Sequence, residues 1–379
     1  MKKTVLDLIP RHIRSLTGYV PGKALRHAQQ ESGAAISMIK LASNENPFGP
    51  SPRAVEAIRA AAQEVNLYPD NDSTELRQEL ARRHQIDPSQ IFLADGSLGM
   101  LDIMARTLLG PGLNCVTSER SFISYPLVTL AAGGELITTP LQNDAYDLKA
   151  IAAAINDNTR MVLLANPNNP TGTMFDADAT EEFLRKVPEH VLVVLDEAYY
   201  DFASSFATQR GLTYSRSLDY VRAARRNVIV LRTFSKAHGL AGIRLGYGCG
   251  DAELFQYFGR VRNSFSVSVV AEAAGLAAIR DEAHIRRTVE NNATGAAWLM
   301  PFFAELGLRA VPTSANFIYF EVDEDANAFA QRMQTHGVIV RSLVPWGIPN
   351  GIRVTIGTPQ QNEHFVSALK KVVRQAVTR

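Results

Sequence analysis

The alternation of short apolar runs with longer amphipathic segments constrains this fold more than any other feature of the sequence. Seven strand-like runs occupy the first two thirds of the chain, and helical patterns separate most of them. This order predicts an α/β fold with a mostly parallel, seven-stranded sheet between two layers of helices. Ligands of such sheets bind beyond the carboxyl ends of the strands. The predicted strands are residues 91–93, 115–118, 135–141, 161–165, 191–195, 227–231 and 245–249, and the predicted helices are 53–65, 74–84, 98–109, 125–132, 148–155, 177–186 and 217–224.

The pattern changes after residue 262, where two long helical stretches lead into an α+β tail. We therefore expect a large domain over residues 47–262 and a smaller α+β domain over residues 263–379. An irregular N-terminal arm, residues 1–46, is expected to join the small domain. The elements predicted outside the large domain are helices at 6–15, 269–280, 282–306, 326–336 and 359–377, and strands at 317–322, 338–341 and 352–356.

Composition excludes several classes of function. The 379 residues carry a net charge of +1 without a basic block, so neither nucleic acid nor a membrane surface is an expected partner. Cys115 and Cys249 are the only cysteines, too few for a disulfide framework or a zinc site. The eight histidines show no metal-ligand spacing. Without a signal-peptide pattern at the N-terminus, a reduced cytoplasmic location is expected.

Polar residues follow three of the predicted strands. Asn169 lies in the Pro- and Asn-rich segment after residue 165, Asp196 ends the next strand, and Lys236 follows the third. A carboxylate at the end of an apolar strand is expected to be buried and partnered. A desolvated lysine has a lowered pKa, which makes its amine nucleophilic and able to form a Schiff base. The alternative for Lys236 taken alone is an ordinary solvated loop lysine.

A phosphate cradle is predicted where Asp-Gly-Ser-Leu-Gly, residues 95–99, opens a helix after a strand. The free backbone N–H groups and the positive end of the helix dipole both favour an anion there. A plain helix N-cap would explain the same residues. Ser235 and Arg244 supply further donors. Together with the acid and the lysine, such a site matches the requirements of pyridoxal phosphate.

Several motifs then carry a resemblance to a known family. Residues 166–172 (Asn-Pro-Asn-Asn-Pro-Thr-Gly), 196–199 (Asp-Glu-Ala-Tyr) and 233–236 (Thr-Phe-Ser-Lys) resemble those of fold-type I aminotransferases, which depend on pyridoxal phosphate. Within that group, the chain resembles the histidinol-phosphate aminotransferase family from Tyr19 to about Asn362. The stretches that carry this second resemblance are residues 44–52, 68–70, 315–317 and 352–358.

The resemblance implies a role for each cofactor-site residue. Lys236 forms the Schiff base and moves the Cα proton, Asp196 pairs with the pyridine nitrogen, and Phe122 stacks on the ring. The catalytic residues are then Lys236, Asp196 and Tyr199. The implied remaining cofactor contacts are Asn169 and Tyr199 at the ring oxygen, and Gly96, Ser97, Leu98, Ser235 and Arg244 at the phosphate.

The resemblance also implies how substrates and a second subunit take part. Arg353 binds the carboxylate of glutamate or the phosphate of histidinol phosphate as a guanidinium fork. Tyr19 and Arg341 assist at the phosphate end, with Asn169 also at the substrate. Tyr68 reaches the cofactor phosphate of the neighbouring subunit, which implies a homodimer. The simpler alternatives are surface strand charges for the two arginines, and a packed turn residue for Tyr68.

The implied reaction is a ping-pong transamination of L-histidinol phosphate with 2-oxoglutarate. Three departures from the family pattern leave other donors open: Phe122 stands where tyrosine is usual, Leu98-Gly99 replaces an acidic pair, and Asn263 replaces a proline. An aromatic amino acid aminotransferase is the first alternative, and a same-fold decarboxylase of a phosphorylated amino acid is a more distant one.

Other classes of protein match the sequence less well. Asp251 occupies the third glycine position of a dinucleotide-binding fingerprint, so a nicotinamide dehydrogenase is not indicated. Asp95 replaces the first glycine in the nearest match to a serine-hydrolase motif. A catalytically inactive binding module would lack Lys236 or Asp196, and both are present.

Overall fold

The structure is a computed structural model that describes residues 4–18, 25 and 38–377. Its strands are β1 Ile39–Lys40, β2 Ile91–Ala94, β3 Asn114–Ser118, β4 Glu135–Thr139, β5 Leu141–Gln142, β6 Ala145–Tyr146, β7 Thr159–Ala165, β8 Leu192–Asp196, β9 Val228–Thr233, β10 Gly246–Cys249, β11 Phe317–Glu321, β12 Val338–Ile339, β13 Arg341–Ser342 and β14 Gly351–Thr355.

The α-helices alternate with these strands in the first part of the chain and lengthen after it. They are α1 Arg11–Arg14, α2 Pro52–Ala61, α3 Thr74–His84, α4 Ser97–Leu108, α5 Ser124–Ala131, α6 Leu148–Ala154, α7 Ala177–Leu184, α8 Tyr200–Gln209, α9 Ser217–Arg222, α10 Ala252–Val261, α11 Val269–Ile279, α12 Glu282–Glu305, α13 Ala326–Thr335 and α14 Pro359–Val377.

A seven-stranded sheet in the order β2-β10-β9-β8-β7-β3-β4 organises the larger part of the molecule. Only β10 runs antiparallel to its neighbours, so the predicted mostly parallel α/β fold is confirmed. Every residue of β8 and β9 is buried because helices cover both faces of the sheet. Successive side chains enter different core layers: Leu163 and Val194 pack in one cluster, and Val162 and Val193 in the other.

The sequence analysis did not predict two helices, α8 and α10. Both carried ordinary helical signals. In α10, Asp251 caps the first turn by accepting from the Leu254 N–H, while Phe255 and Phe258 are buried on one face. In α8, the apolar residues Phe202 and Phe206 recur at helical spacing.

A three-stranded antiparallel sheet, β11-β14-β13, forms the centre of the second part of the molecule. It packs with α12, α13 and α14 around a core that includes Phe303, Phe320 and Phe365. Strand β1 of the N-terminal segment pairs with β12, so this segment contacts the C-terminal part of the chain. The domain boundaries at residues 46 and 262 stay predictions.

Candidate active site

A cavity of about 820 Å³ opens at the carboxyl ends of β7, β8 and β9. These strands are adjacent in the sheet, and the residues that follow them line the cavity together with residues of β13 and β14. The cavity therefore lies where the large sheet meets the small one. Its walls contain Asn169, Asp196 and Lys236, the three polar residues predicted to converge.

Asp196 is the last residue of β8 and is 4% exposed. The Tyr125 hydroxyl donates to its Oδ2 at 3.1 Å, and the Ala198 N–H donates to its Oδ1 at 3.3 Å. Burial raises the pKa of Asp196 to about 6, against these two hydrogen bonds, which lower it. At neutral pH the cavity thus holds a buried carboxylate that a cationic ring nitrogen would stabilise.

Lys236 follows β9 and points into the same cavity. Its Nζ lies 3.4 Å from the backbone oxygen of Asn44 and 5.6 Å from the centre of the Tyr199 ring. Burial lowers the pKa of Lys236 to about 8, and the positive charge of Arg353 acts in the same direction. A much larger fraction of this amine is neutral at physiological pH than for an exposed lysine, so it can act as a nucleophile or base.

Tyr199 and Asn169 line the wall between these two groups and the small sheet. The Tyr199 hydroxyl accepts from Asn44 Nδ2 at 2.9 Å, and burial raises its pKa. Asn169 Oδ1 accepts a hydrogen bond from Nη1 of Arg353. Asn169 therefore contacts a predicted substrate-binding arginine directly, in addition to facing the cavity.

The start of α4 lies at the cavity and carries groups that suit an anion. Gly96, the N-cap residue, has φ +96°, and a Cβ there would lie only 2.5 Å from Nη2 of Arg244. Arg244 Nη1 lies 3.5 Å from Ser235 Oγ, and Ser97 and Leu98 line the adjacent wall. Backbone N–H groups at a helix start, hydroxyl groups and a guanidinium together suit a phosphate.

Arg341 and Arg353 form a cationic end of the cavity at the small sheet. They are register partners on β13 and β14, and they are 8% and 5% exposed. Interpreting them as surface strand charges is therefore wrong. Arg353 Nη2 donates to the backbone oxygen of Ala42 at 3.1 Å. Two buried guanidiniums on one face of a sheet make this end suited to anionic groups.

The remaining predicted residues are placed differently. Phe122 lines the cavity and meets Tyr125 edge to face, with ring centres 5.5 Å apart. Tyr68 is 82% exposed and stacks on Phe265 at 4.7 Å, away from the described lining of its own cavity. Its position is that of a surface aromatic residue, available to another molecule. Tyr19 lies outside the described residues.

Three residues at the site were missed by the sequence analysis. Asn44 donates to Tyr199 and approaches Lys236, Tyr125 donates to Asp196, and Trp346 lies at the cationic end. Asn44 belongs to the Asn- and Pro-rich stretch that was interpreted only as a loop and a family motif. No local signal singles out Tyr125 or Trp346, because their hydrogen-bond partners, Asp196 and Ser121, are distant in sequence.

Comparison with known proteins identifies the class to which this fold and site belong. A family model described as "Aminotransferase class I and II" matches residues 36–369. The chain therefore belongs to the class I and II aminotransferase family.

Individual relatives show which aminotransferases the chain resembles. Histidinol-phosphate aminotransferase of Moorella thermoacetica is 43% identical over 361 residues, which cover 95% of this chain and 92% of that protein. Histidinol-phosphate aminotransferase 2 of Pseudomonas aeruginosa is 43% identical over 369 residues, covering 97% and 98%. The crystal structure of histidinol-phosphate aminotransferase from Sinorhizobium meliloti in complex with pyridoxal-5'-phosphate matches with a TM-score of 0.86 at 30% identity, covering 97% of each chain. The predicted resemblance to this group is confirmed.

The described residues contain neither a helix that could span a membrane nor a cluster that could hold a metal ion. In residues 4–18, 25 and 38–377, no helix is both long and apolar enough to cross a membrane. Within the same ranges, no group of three or more His, Cys, Asp or Glu side chains could hold a metal ion.

Proposed function

We propose that this aminotransferase uses pyridoxal phosphate to move the amino group of L-histidinol phosphate to 2-oxoglutarate, giving imidazole acetol phosphate and L-glutamate. The observation that carries the proposal is one cavity lined by Lys236 and Asp196, at the ends of adjacent strands, and by two buried arginines of the small sheet. The substrates themselves come from the similarity to histidinol-phosphate aminotransferases over nearly the whole chain.

The residues present fit pyridoxal phosphate. The open backbone at Gly96 beside Arg244 suits its phosphate, and the buried carboxylate of Asp196 suits its ring nitrogen in the protonated form. Phe122 offers a ring to stack on, and Lys236 offers an amine to hold the aldehyde carbon. When bound, the cofactor supplies a conjugated ring that withdraws electrons from the substrate's Cα.

Three residues of the chain have separate roles in the proposed reaction. Asp196 holds a proton on the ring nitrogen, and Tyr125 fixes that carboxylate by donating to Oδ2. Lys236 Nζ would take the proton from the substrate's Cα and pass it to the former aldehyde carbon of the cofactor within the same half-reaction, and it would move a proton in the reverse direction in the half-reaction with 2-oxoglutarate. Because its pKa is lowered to about 8, a much larger fraction of this amine can accept a proton near neutral pH than for an exposed lysine.

Arg353 and Arg341 select the substrate in this scheme. The acceptor 2-oxoglutarate carries two carboxylates and the proposed donor carries a phosphate, so both present an anionic group away from the reacting carbon. Arg353 is oriented by Asn169 Oδ1 and by the Ala42 carbonyl. A guanidinium held in this way accepts carboxylate or phosphate through the same fork of donors.

A substrate panel tests the proposal. The purified enzyme is expected to show a cofactor absorbance that L-histidinol phosphate discharges and 2-oxoglutarate restores. Lys236→Ala should lose covalent attachment of the cofactor and lower the rate by at least about a hundredfold. Turnover of phenylalanine without turnover of histidinol phosphate would favour the aromatic aminotransferase instead. Release of CO2 from a phosphorylated amino acid would favour the decarboxylase.

A homodimer in the cytoplasm completes the proposal. Tyr68 is exposed and is held by its stack on Phe265, in a position to reach a neighbouring subunit. Both cysteines are free and buried thiols, as a reducing compartment favours. Light scattering should give twice the subunit mass, and Tyr68→Ala should weaken cofactor binding without moving any group of its own cavity. A monomeric, fully active enzyme would contradict this part of the proposal.

A further inference from the structure

We propose that Trp346 is a positioning residue that sets where Arg341 and Arg353 hold the anionic groups of the substrates, an inference that rests on the proposed function. Trp346 ends a short 3-10 turn, Val344–Trp346, between β13 and β14. Its half-buried side chain lines the cavity alongside both arginines.

The pairing of Arg341 with Arg353 brings two positive charges close together, and the Trp346 indole can stabilise both of them. The two residues are directly opposite each other on antiparallel strands, which puts both side chains on the same face of the sheet. Like charges in such a pair repel, and burial strengthens the repulsion. The guanidiniums therefore need fixed neighbours that favour positive charge if they are to stay where a substrate can bridge them.

The Trp346 ring is one such neighbour for both arginines. The Cζ atom of Arg341 lies 5.2 Å from the ring centre, and that of Arg353 lies 5.7 Å from it. An aromatic ring attracts a guanidinium at this range, and the attraction is stronger when the cation is partly desolvated. One side chain thus contacts both members of the pair.

The indole is itself held by the other part of the molecule. Trp346 Nε1 donates to the backbone oxygen of Ser121 at 2.9 Å, across 225 residues of sequence. Ser121 immediately precedes Phe122, the predicted stacking residue, and its hydroxyl pairs with that of Tyr146. Trp346 therefore connects the arginine pair to the loop that carries Phe122. A change in the indole should move the anion-binding groups relative to the reacting centre.

Variants at this position separate the two contacts. Trp346→Leu removes the ring and the N–H group, whereas Trp346→Phe keeps a ring and loses only the hydrogen bond to Ser121. We expect Trp346→Leu to raise KM for both histidinol phosphate and 2-oxoglutarate by about tenfold, with a smaller change in kcat. Trp346→Phe should recover most of that loss.

Trp298→Leu is the matched control, because Trp298 lies on α12, is 40% exposed and is not in the described lining of the cavity. Equal KM values for Trp346→Leu, Trp298→Leu and wild type would overturn the inference while leaving the proposed function intact. A wild-type enzyme without cofactor absorbance or transamination would instead overturn the proposed function.

A second measurement does not require Trp346→Leu to fold. The chain has only two tryptophans, so Trp298→Phe leaves Trp346 as the sole indole. Titrating this active variant with 2-oxoglutarate alone should change the Trp346 emission with the same midpoint as binding measured by calorimetry. Unchanged emission at saturating 2-oxoglutarate would show that the indole does not contact the anion-binding groups in solution, contrary to the inference.

Discussion

Replacing Asp196 by asparagine should stabilise the cofactor-free protein while weakening its hold on the cofactor. Burial raises the folded-state pKa of Asp196 to about 6, whereas the ordinary value is 3.8. A carboxyl with a raised folded pKa costs stability as pH rises, because the unfolded chain ionises first. The loss of folding stability caused by this carboxyl begins near pH 4 and is complete above about pH 6. Asparagine carries no such charge.

The pKa difference sets the size of the effect. Linkage gives a stability gain for Asp196→Asn of about 2 kcal/mol at about pH 5 and about 3 kcal/mol at about pH 7.5. The new amide also changes the hydrogen bonds to Tyr125 and Ala198. The effect of the new hydrogen bonds is the same at both pH values, so it cancels in the difference between the two stability gains, which is about 1 kcal/mol.

Urea unfolding of the cofactor-free wild type and variant, at equal protein concentration and at both pH values, measures this difference. Asp157→Asn, at an exposed position, controls for the substitution itself. Added pyridoxal phosphate should then stabilise the wild type more than Asp196→Asn, because only the wild type offers a charge to the ring nitrogen. A variant that gains equally at both pH values, or gains nothing, would refute the reasoning about the buried carboxylate.

Three further substitutions test the surrounding contacts. Arg353→Lys should raise KM for 2-oxoglutarate by about tenfold, because an ammonium lacks the planar fork; steady-state kinetics checks this. Glu197→Gln should lower the free energy of unfolding by about 3 to 5 kcal/mol, since Arg232, 2.9 Å away, would keep its charge in a buried site. Tyr125→Phe should raise the pKa of Asp196 further, so cofactor-free Tyr125→Phe should lose more stability at about pH 7.5 than at about pH 5 in urea unfolding. A loss of stability that is equal at both pH values would contradict the expectation for Tyr125→Phe. An unchanged KM for Arg353→Lys, or an unchanged free energy of unfolding for Glu197→Gln, would contradict the other two expectations.

The architecture was predictable because its signals are local. Fully buried parallel strands appear as short runs of apolar residues, and β7, β8 and β9 each have this form. The polar residues after them stand out because such runs end abruptly at Asp196 or shortly before Lys236. The sheet then brings these residues together, since strands that run the same way end at the same edge.

The partners of those residues were not predictable in the same way. Tyr125 reaches Asp196 across 71 residues of sequence, and Asn44 reaches Tyr199 across 155. Neither contact leaves a periodic pattern, because each depends on how helices and loops pack over the finished sheet. The same holds for Arg341 and Arg353, whose juxtaposition appears only when β13 pairs with β14.

The groups around the cavity come from two different sheets. Asp196 ends β8 and Lys236 follows β9, so both are positioned by neighbouring, hydrogen-bonded strands of one sheet. Arg353 belongs to another sheet, and its position relative to Lys236 depends on the packing of the two parts and on its contact with Asn169. Arg353 and Lys236 are also coupled electrostatically, since the charge of Arg353 helps to lower the pKa of Lys236. In the proposed function, a substrate anion at Arg353 would offset that charge and make the amine a stronger base once the substrate is bound. The arginine proposed to select the substrate would then also adjust the base proposed to act on it.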